Sequence, residues 1–134
     1  MTESFAPDDR VLLDSGCRKR FAPLTDILAI QADGNYTEVL LADGTRHLIR
    51  RLLKDWVTRL PPSFLQLSRS LVIQLDRVTA WENEGRGMLI RFGDTGQELH
   101  LSRTAAERFR RAIASWSSDS HFGRSARESM NYMR

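Results

Sequence analysis

The sequence predicts a mainly β domain, built of antiparallel strands with one short internal helix and one C-terminal helix. Three observations carry this. Short apolar runs recur along the chain and are broken by glycine turns. Asp33-Gly34 and Asp43-Gly44 each fall between two such runs, the best short-range hairpin signal, because these residues tolerate positive φ. The apolar spacing becomes helical at only two places, Arg51 to Leu60 and Thr104 to Trp116.

Taken in order, Met1 to Asp9 is polar and carries Pro7 and two adjacent acids, so 1–9 is expected as a flexible tail. Val11 to Leu13, Ser15-Gly16 and Arg18 to Phe21 predict an opening hairpin. Ile27 to Gln31, Tyr36 to Leu41 and Thr45 to Ile49 predict a meander across the two Asp-Gly turns. Ile49, Leu52, Leu53, Trp56, Val57 and Leu60 then share a helical face, and Pro61-Pro62 stops the run. Strand-like runs resume at Phe64 to Leu67, Leu71 to Leu75, Val78 to Trp81, Met88 to Phe92 and Glu98 to Leu101, and are expected as a second antiparallel set. Gly85-Arg86-Gly87 and the 93–96 segment supply turns. Thr104-Ala105-Ala106-Glu107 has capping-box spacing and opens an amphipathic helix with Ala105, Phe109, Ala112, Ile113 and Trp116 on one face. The core domain is therefore placed at 10–116, with 117–134, rich in Ser and Arg, as a second flexible tail.

With 134 residues, 41% hydrophobic and 28% charged, the chain has the size and composition of one globular domain. Its formal charge is only +3, yet 18 of its 20 basic residues are arginine, the planar cation suited to phosphates and guanine edges. That usage points to an anionic partner only where position supports it. The single cysteine, Cys17, excludes an intramolecular disulfide and a thiolate zinc cluster and fits a cytoplasmic location. The polar start and the short apolar stretches predict neither a signal peptide nor a membrane span.

Three segments offer binding chemistry. In Ser68-Arg69-Ser70, hydroxyls able to bond phosphate oxygens flank a guanidinium able to fork to a base, although an ordinary polar turn has the same composition. In Ser102-Arg103-Thr104 an arginine sits at the start of the last helix, where free N–H groups favour an anion; a plain cap with Arg103 in solvent is the competing reading. Asn35-Tyr36 sets an amide that can pair with adenine beside a ring that can pack on sugar or a thymine methyl, or is simply a turn residue followed by a strand tyrosine. Catalysis would need Ser68, Asp76 and His100, or Cys17 and His47, to meet. No nucleophile elbow, glycine-rich phosphate loop, metal-spaced histidine pair or paired carboxylate motif accompanies them, so no enzyme, cofactor or metal site is expected.

These segments occur in a specific order. The stretch from Ile27 to Thr37, containing Ala32-Asp33-Gly34-Asn35-Tyr36, followed by Leu52 and Leu53, Leu60-Pro61, Phe64 to Ile73 and Leu101-Ser102-Arg103, resembles the LytTR-type DNA-binding domains that serve as output domains of bacterial response regulators. The resemblance covers 21–116. It implies an elongated fold of stacked antiparallel sheets whose loops enter successive major grooves. By position, base contacts would fall at Asn35 or Tyr36, Arg69 and Arg103, with phosphate contacts from Ser68, Ser70, Ser102 and Arg46 or Arg50. The partner implied is double-stranded DNA, with repeated promoter sites and a homodimer on DNA, paired through Phe5, the Trp116 region or the tails. Ser68 replaces the usual histidine of the family and Gln74 the usual asparagine; the second change is expected to alter a turn hydrogen bond and not a DNA contact. About 20 residues precede the resemblance, too few for a receiver domain, so the chain is expected to be either a stand-alone regulator or a fragment of a longer one. The reading is a transcriptional regulator, and the alternative is a protein-interaction module or antirepressor that keeps the fold without DNA binding.

Overall fold

The computed structural model describes residues 4–118, with side chains as far as Ser115. Ten strands form three antiparallel sheets. β1 (Arg10–Asp14) and β2 (Lys19–Pro23) make the opening hairpin. A five-stranded sheet in the order β5-β4-β3-β7-β6 contains β3 (Ile27–Asp33), β4 (Tyr36–Leu41), β5 (Arg46–Ile49), β6 (Phe64–Ser68) and β7 (Leu71–Gln74). β8 (Ala80–Glu84), β9 (Gly87–Phe92) and β10 (Gln97–Leu101) make a three-stranded sheet in the order β10-β9-β8. The helices are α1 (Leu53–Val57) and α2 (Arg103–Ser118).

The five-stranded sheet is covered on both faces, which is why its strands read as nearly continuous apolar runs and not as alternations. One face packs Leu28, Leu40, Leu67 and Ile73 against Met88, Ile90, Phe92 and Phe109 of β9 and α2. The other packs Ile27, Ile30, Val39 and Val72 against Val11, Leu13 and Ala22 of the hairpin and Leu53 and Trp56 of α1. A register shift in β3 between Ile27 and Ala29 changes which residues serve each face. Residues two apart in a regular strand share a face, whereas here Ile27 serves the hairpin side and Ala29 the α2 side.

Several expectations change in detail. β6 and β7 do not belong to a second set: β7 pairs with β3, so both complete the first sheet, and only β8 to β10 stand apart. The sequence gives no pairing partner for an isolated apolar run, and here the partner is distant in sequence. α1 is shorter than Arg51 to Leu60; Leu52 is extended and exposed at its N-cap, while Ile49 belongs to β5. β8 begins at Ala80, not Val78. α2 begins at Arg103 because Ser102, and not Thr104, caps it: Ser102 Oγ accepts the Ala105 N–H at 3.3 Å, and the Ser102 carbonyl accepts the Ala106 N–H at 2.8 Å. The side chain of Trp116 and residues 119–134, including most of the expected C-terminal tail, lie outside the described residues.

Within the expected N-terminal tail, Phe5 is fastened. Its N–H donates to the Arg59 carbonyl at 2.7 Å, its ring lies 6.4 Å from that of Trp56, and the Arg59 guanidinium sits 4.1 Å above it. Phe5 is thus engaged within its own chain.

Candidate nucleic-acid interface

The Ser68-Arg69-Ser70 segment forms the β6–β7 turn. Ser68 Oγ accepts the Ser70 N–H at 3.2 Å and lies 3.3 Å from Ser70 Oγ, so the two hydroxyls staple the turn. Arg69 between them is exposed and makes no hydrogen bond or ion pair among the described residues. The fold holds the backbone and leaves the guanidinium available.

The β3–β4 turn lies at the same end of the sheet, because the Ala32 N–H donates to the Ser70 carbonyl at 2.7 Å. Past that tie the chain turns through Gly34 and Asn35, with Asp33 opposite Tyr36. Gly34 takes φ 62°, a left-handed conformation that suits glycine, and so presents Asn35 and Tyr36 at the tip, both exposed.

The start of α2 joins from the other sheet. An open cleft of about 570 Å³ is lined by Ser68, Arg69 and Ser70 on one side and by Ser102, Thr104 and Arg108 on the other. Arg103, the first residue of α2, borders an adjoining hollow with Arg86 and Arg110. Arg103 Nε contacts Glu107 at 3.4 Å, an exposed pair one helical turn apart. Solvent screens such a pair to well under about 1 kcal/mol, so it does not withhold Arg103 from an anion.

The remaining expected phosphate contacts divide. Arg50 follows Ile49, which pairs with Thr37, and therefore lies near the Asn35-Tyr36 tip. Arg46 pairs with Leu40 further along β5, toward the opposite turn, and its guanidinium is bound to Glu38 at 2.8 Å. The structure does not bring Arg46 to this rim. Gln74 is buried, and its side-chain amide donates to the Ile27 carbonyl at 2.7 Å and the Leu24 carbonyl at 3.0 Å. It closes the turn before β3, as expected of a turn hydrogen bond. Of the residues considered for catalysis, His100 Nδ1 meets Glu84 at 2.7 Å on an exposed strand face, and His47 meets Thr45 Oγ1 at 3.0 Å.

Arg86, Arg108 and Arg110 extend the basic rim but escape the sequence reading. Helical spacing applied to the charged positions of α2 would have found two of them: Arg103 and Arg110 lie two turns apart, with Arg108 flanking. Arg86 occupies a turn, and only the fold brings it beside Arg103. Arg110 is positioned by Nη2 donating to Asn83 Oδ1 at 2.7 Å.

The model of the LytTr DNA-binding domain family matches residues 18–114. Among solved structures, the LytTr DNA-binding domain of a methyl-accepting/DNA response regulator from Bacillus cereus is similar with a TM-score of 0.64 at 20% identity, over 78% of this chain and 95% of that one. A search of curated proteins gave no match. The match over most of the chain, together with the stacked antiparallel sheets, establishes that this chain belongs to the LytTR family of DNA-binding domains.

Proposed function

We propose that the domain is a sequence-specific transcriptional regulator that reads major-groove bases through loops and not through a recognition helix. Arg69 and Arg103 act as base readers, Asn35 or Tyr36 as a third contact, and Ser68, Ser70, Ser102 and Arg50 bond the phosphate backbone, which sets register without specifying sequence. Arg86, Arg108 and Arg110 add to the electrostatic footprint. Arg46 takes no direct part, because it lies further along β5 toward the opposite turn.

The observation that supports this most is that the β6–β7 turn and the start of α2, distant in sequence, each bring an exposed arginine to hollows that α2 borders. Stability alone gives no reason to place five arginines there, since like charges at close range repel. The target proposed is double-stranded DNA with repeated sites occupied by two copies of the domain, in the cytoplasm. The protein-interaction reading gains no observation of its own from this rim.

Selection of preferred sites from a random duplex pool tests the reading. A recurrent site whose affinity falls steeply with added salt is expected. Recovery of no preferred sequence would reduce the role to non-specific binding, and absence of binding would favour the protein-interaction module.

A further inference from the structure

A second basic cavity lies on the other face of the five-stranded sheet, where the hairpin and α1 pack. It measures about 600 Å³ and is bounded by β1, the end of β5 and the segment entering α1. That volume is within the range of small-molecule sites. Among the described residues, Arg10, Arg50, Arg51 and Arg59 line it together with one carboxylate, Asp14. One oxygen of Asp14, Oδ1, accepts the Gly16 N–H at 2.9 Å.

Arg51 is the most informative of these. Its guanidinium stacks on the ring of fully buried Trp56, 4.6 Å from the centroid, and its Nη1 is buried with no hydrogen-bond partner among the described residues. Burial, and then the neighbouring Arg59 guanidinium, pushes the Arg51 pKa below its ordinary value, opposed by Asp55. A buried charged donor without an acceptor is costly, and the same fork matches a phosphate oxygen pair. Phe5 and Leu12 supply apolar wall beside the guanidiniums.

We propose that this cavity binds a small phosphate monoester, with the phosphate held by Arg51 and Arg10 and a short apolar body against Phe5 and Leu12. A dianion fits better than a monocarboxylate because four arginines line the cavity and Asp14 is the one carboxylate among its described lining residues. The inference is independent of which loops read bases. A DNA backbone phosphate is the other source of the same chemistry, and the test separates the two.

Calorimetric titration of the full chain with phenyl phosphate, inorganic phosphate and phenol provides that test. Saturable one-to-one binding of phenyl phosphate, tighter than inorganic phosphate and absent for phenol, is expected. Arg51→Met should weaken it about tenfold or more, the scale of one charge-assisted hydrogen bond. Arg10→Gln should also weaken it while leaving the Trp56 packing intact, so the result stands even if Arg51→Met fails to fold. Absence of saturable binding in the wild type, or unchanged binding in Arg10→Gln and in folded Arg51→Met, would overturn the proposal. If the small phosphates do not bind while Arg10→Gln weakens binding to random-sequence duplex, the cavity is a DNA-phosphate contact and the proposal fails.

Discussion

Individual side chains divide here into those that hold the fold and those it leaves free. Thr37 is wholly buried in β4, and its Oγ1 accepts the Trp56 indole N–H at 2.8 Å, fastening α1 to the strand that follows the Asn35-Tyr36 tip. Thr37→Val keeps the volume and strands a buried donor, so a loss of about 1–3 kcal/mol is expected in chemical denaturation. The double variant Thr37→Val with Trp56→Phe should lose less than the sum of the two single changes, since the orphaned donor is then gone. Arg69 is of the free kind, and Arg103 is held only by its exposed pair with Glu107. Arg69→Ala should cost about 1–3 kcal/mol of specific binding and relax preference at its own base, with folding stability unchanged; Arg103→Ala should do the same at a different base. Equal weakening across all sequences would make either residue a phosphate contact. The exposed arginines in the two Ser-Arg segments were legible in the sequence, flanked by hydroxyls in turn positions. Arg108 and Arg110 were not singled out, because the helical period was read for its apolar face alone.

Among elements, the turns hold the groups whose titration and packing can be tested. In the β4–β5 turn the Thr45 hydroxyl and then the Thr45 N–H bond Asp43, outweighing a small opposing effect of burial and helped by Arg20, and lower its pKa from 3.8 to about 2. A depressed carboxylate pKa contributes stability above the unfolded value of 3.8 that is lost as pH falls toward 2. Asp43→Asn should therefore lose the part of the stability change that wild type shows across that window, checked by denaturation at a series of acid pH values. The β9–β10 edge is tighter still. A Cβ at Gly87 would overlap the Leu101 carbonyl oxygen, one residue before the Ser102 cap of α2. Gly87→Ala should cost about 1–3 kcal/mol, as overpacking does, and weaken DNA binding by displacing Arg103, measurable as a joint fall in melting temperature and affinity. The hairpins of the first sheet were legible because Asp-Gly turns and adjacent strands are local signals. The placement of β6 and β7 was not, because β7 pairs with a strand far away in sequence, and the α2 cap was misplaced because Thr104 with Glu107 mimics the spacing that Ser102 satisfies in fact.

At the scale of the whole molecule, one double-sided sheet supports two opposite faces with different contents. The α2 side delivers the Ser68-Arg69-Ser70 and Ser102-Arg103 segments to one rim, and the hairpin side encloses the Arg51 cavity. Formal charge barely exceeds neutrality at +3, so the DNA interaction must come from how the arginines are arranged and not from their surplus. The antiparallel β class, the helices and the polar segments that reach the rim could be read in the residues themselves; which hollow each segment shares could not, since it depends on how two separate sheets are stacked. Arg69 is proposed to read a base. The most direct test of that role is the binding energy of every single-base variant of the selected site, measured side by side for wild type and Arg69→Ala. Discrimination is expected to collapse at one position and persist at the others, whereas an unchanged pattern of discrimination with uniformly weaker binding would make Arg69 a phosphate contact and not a base reader.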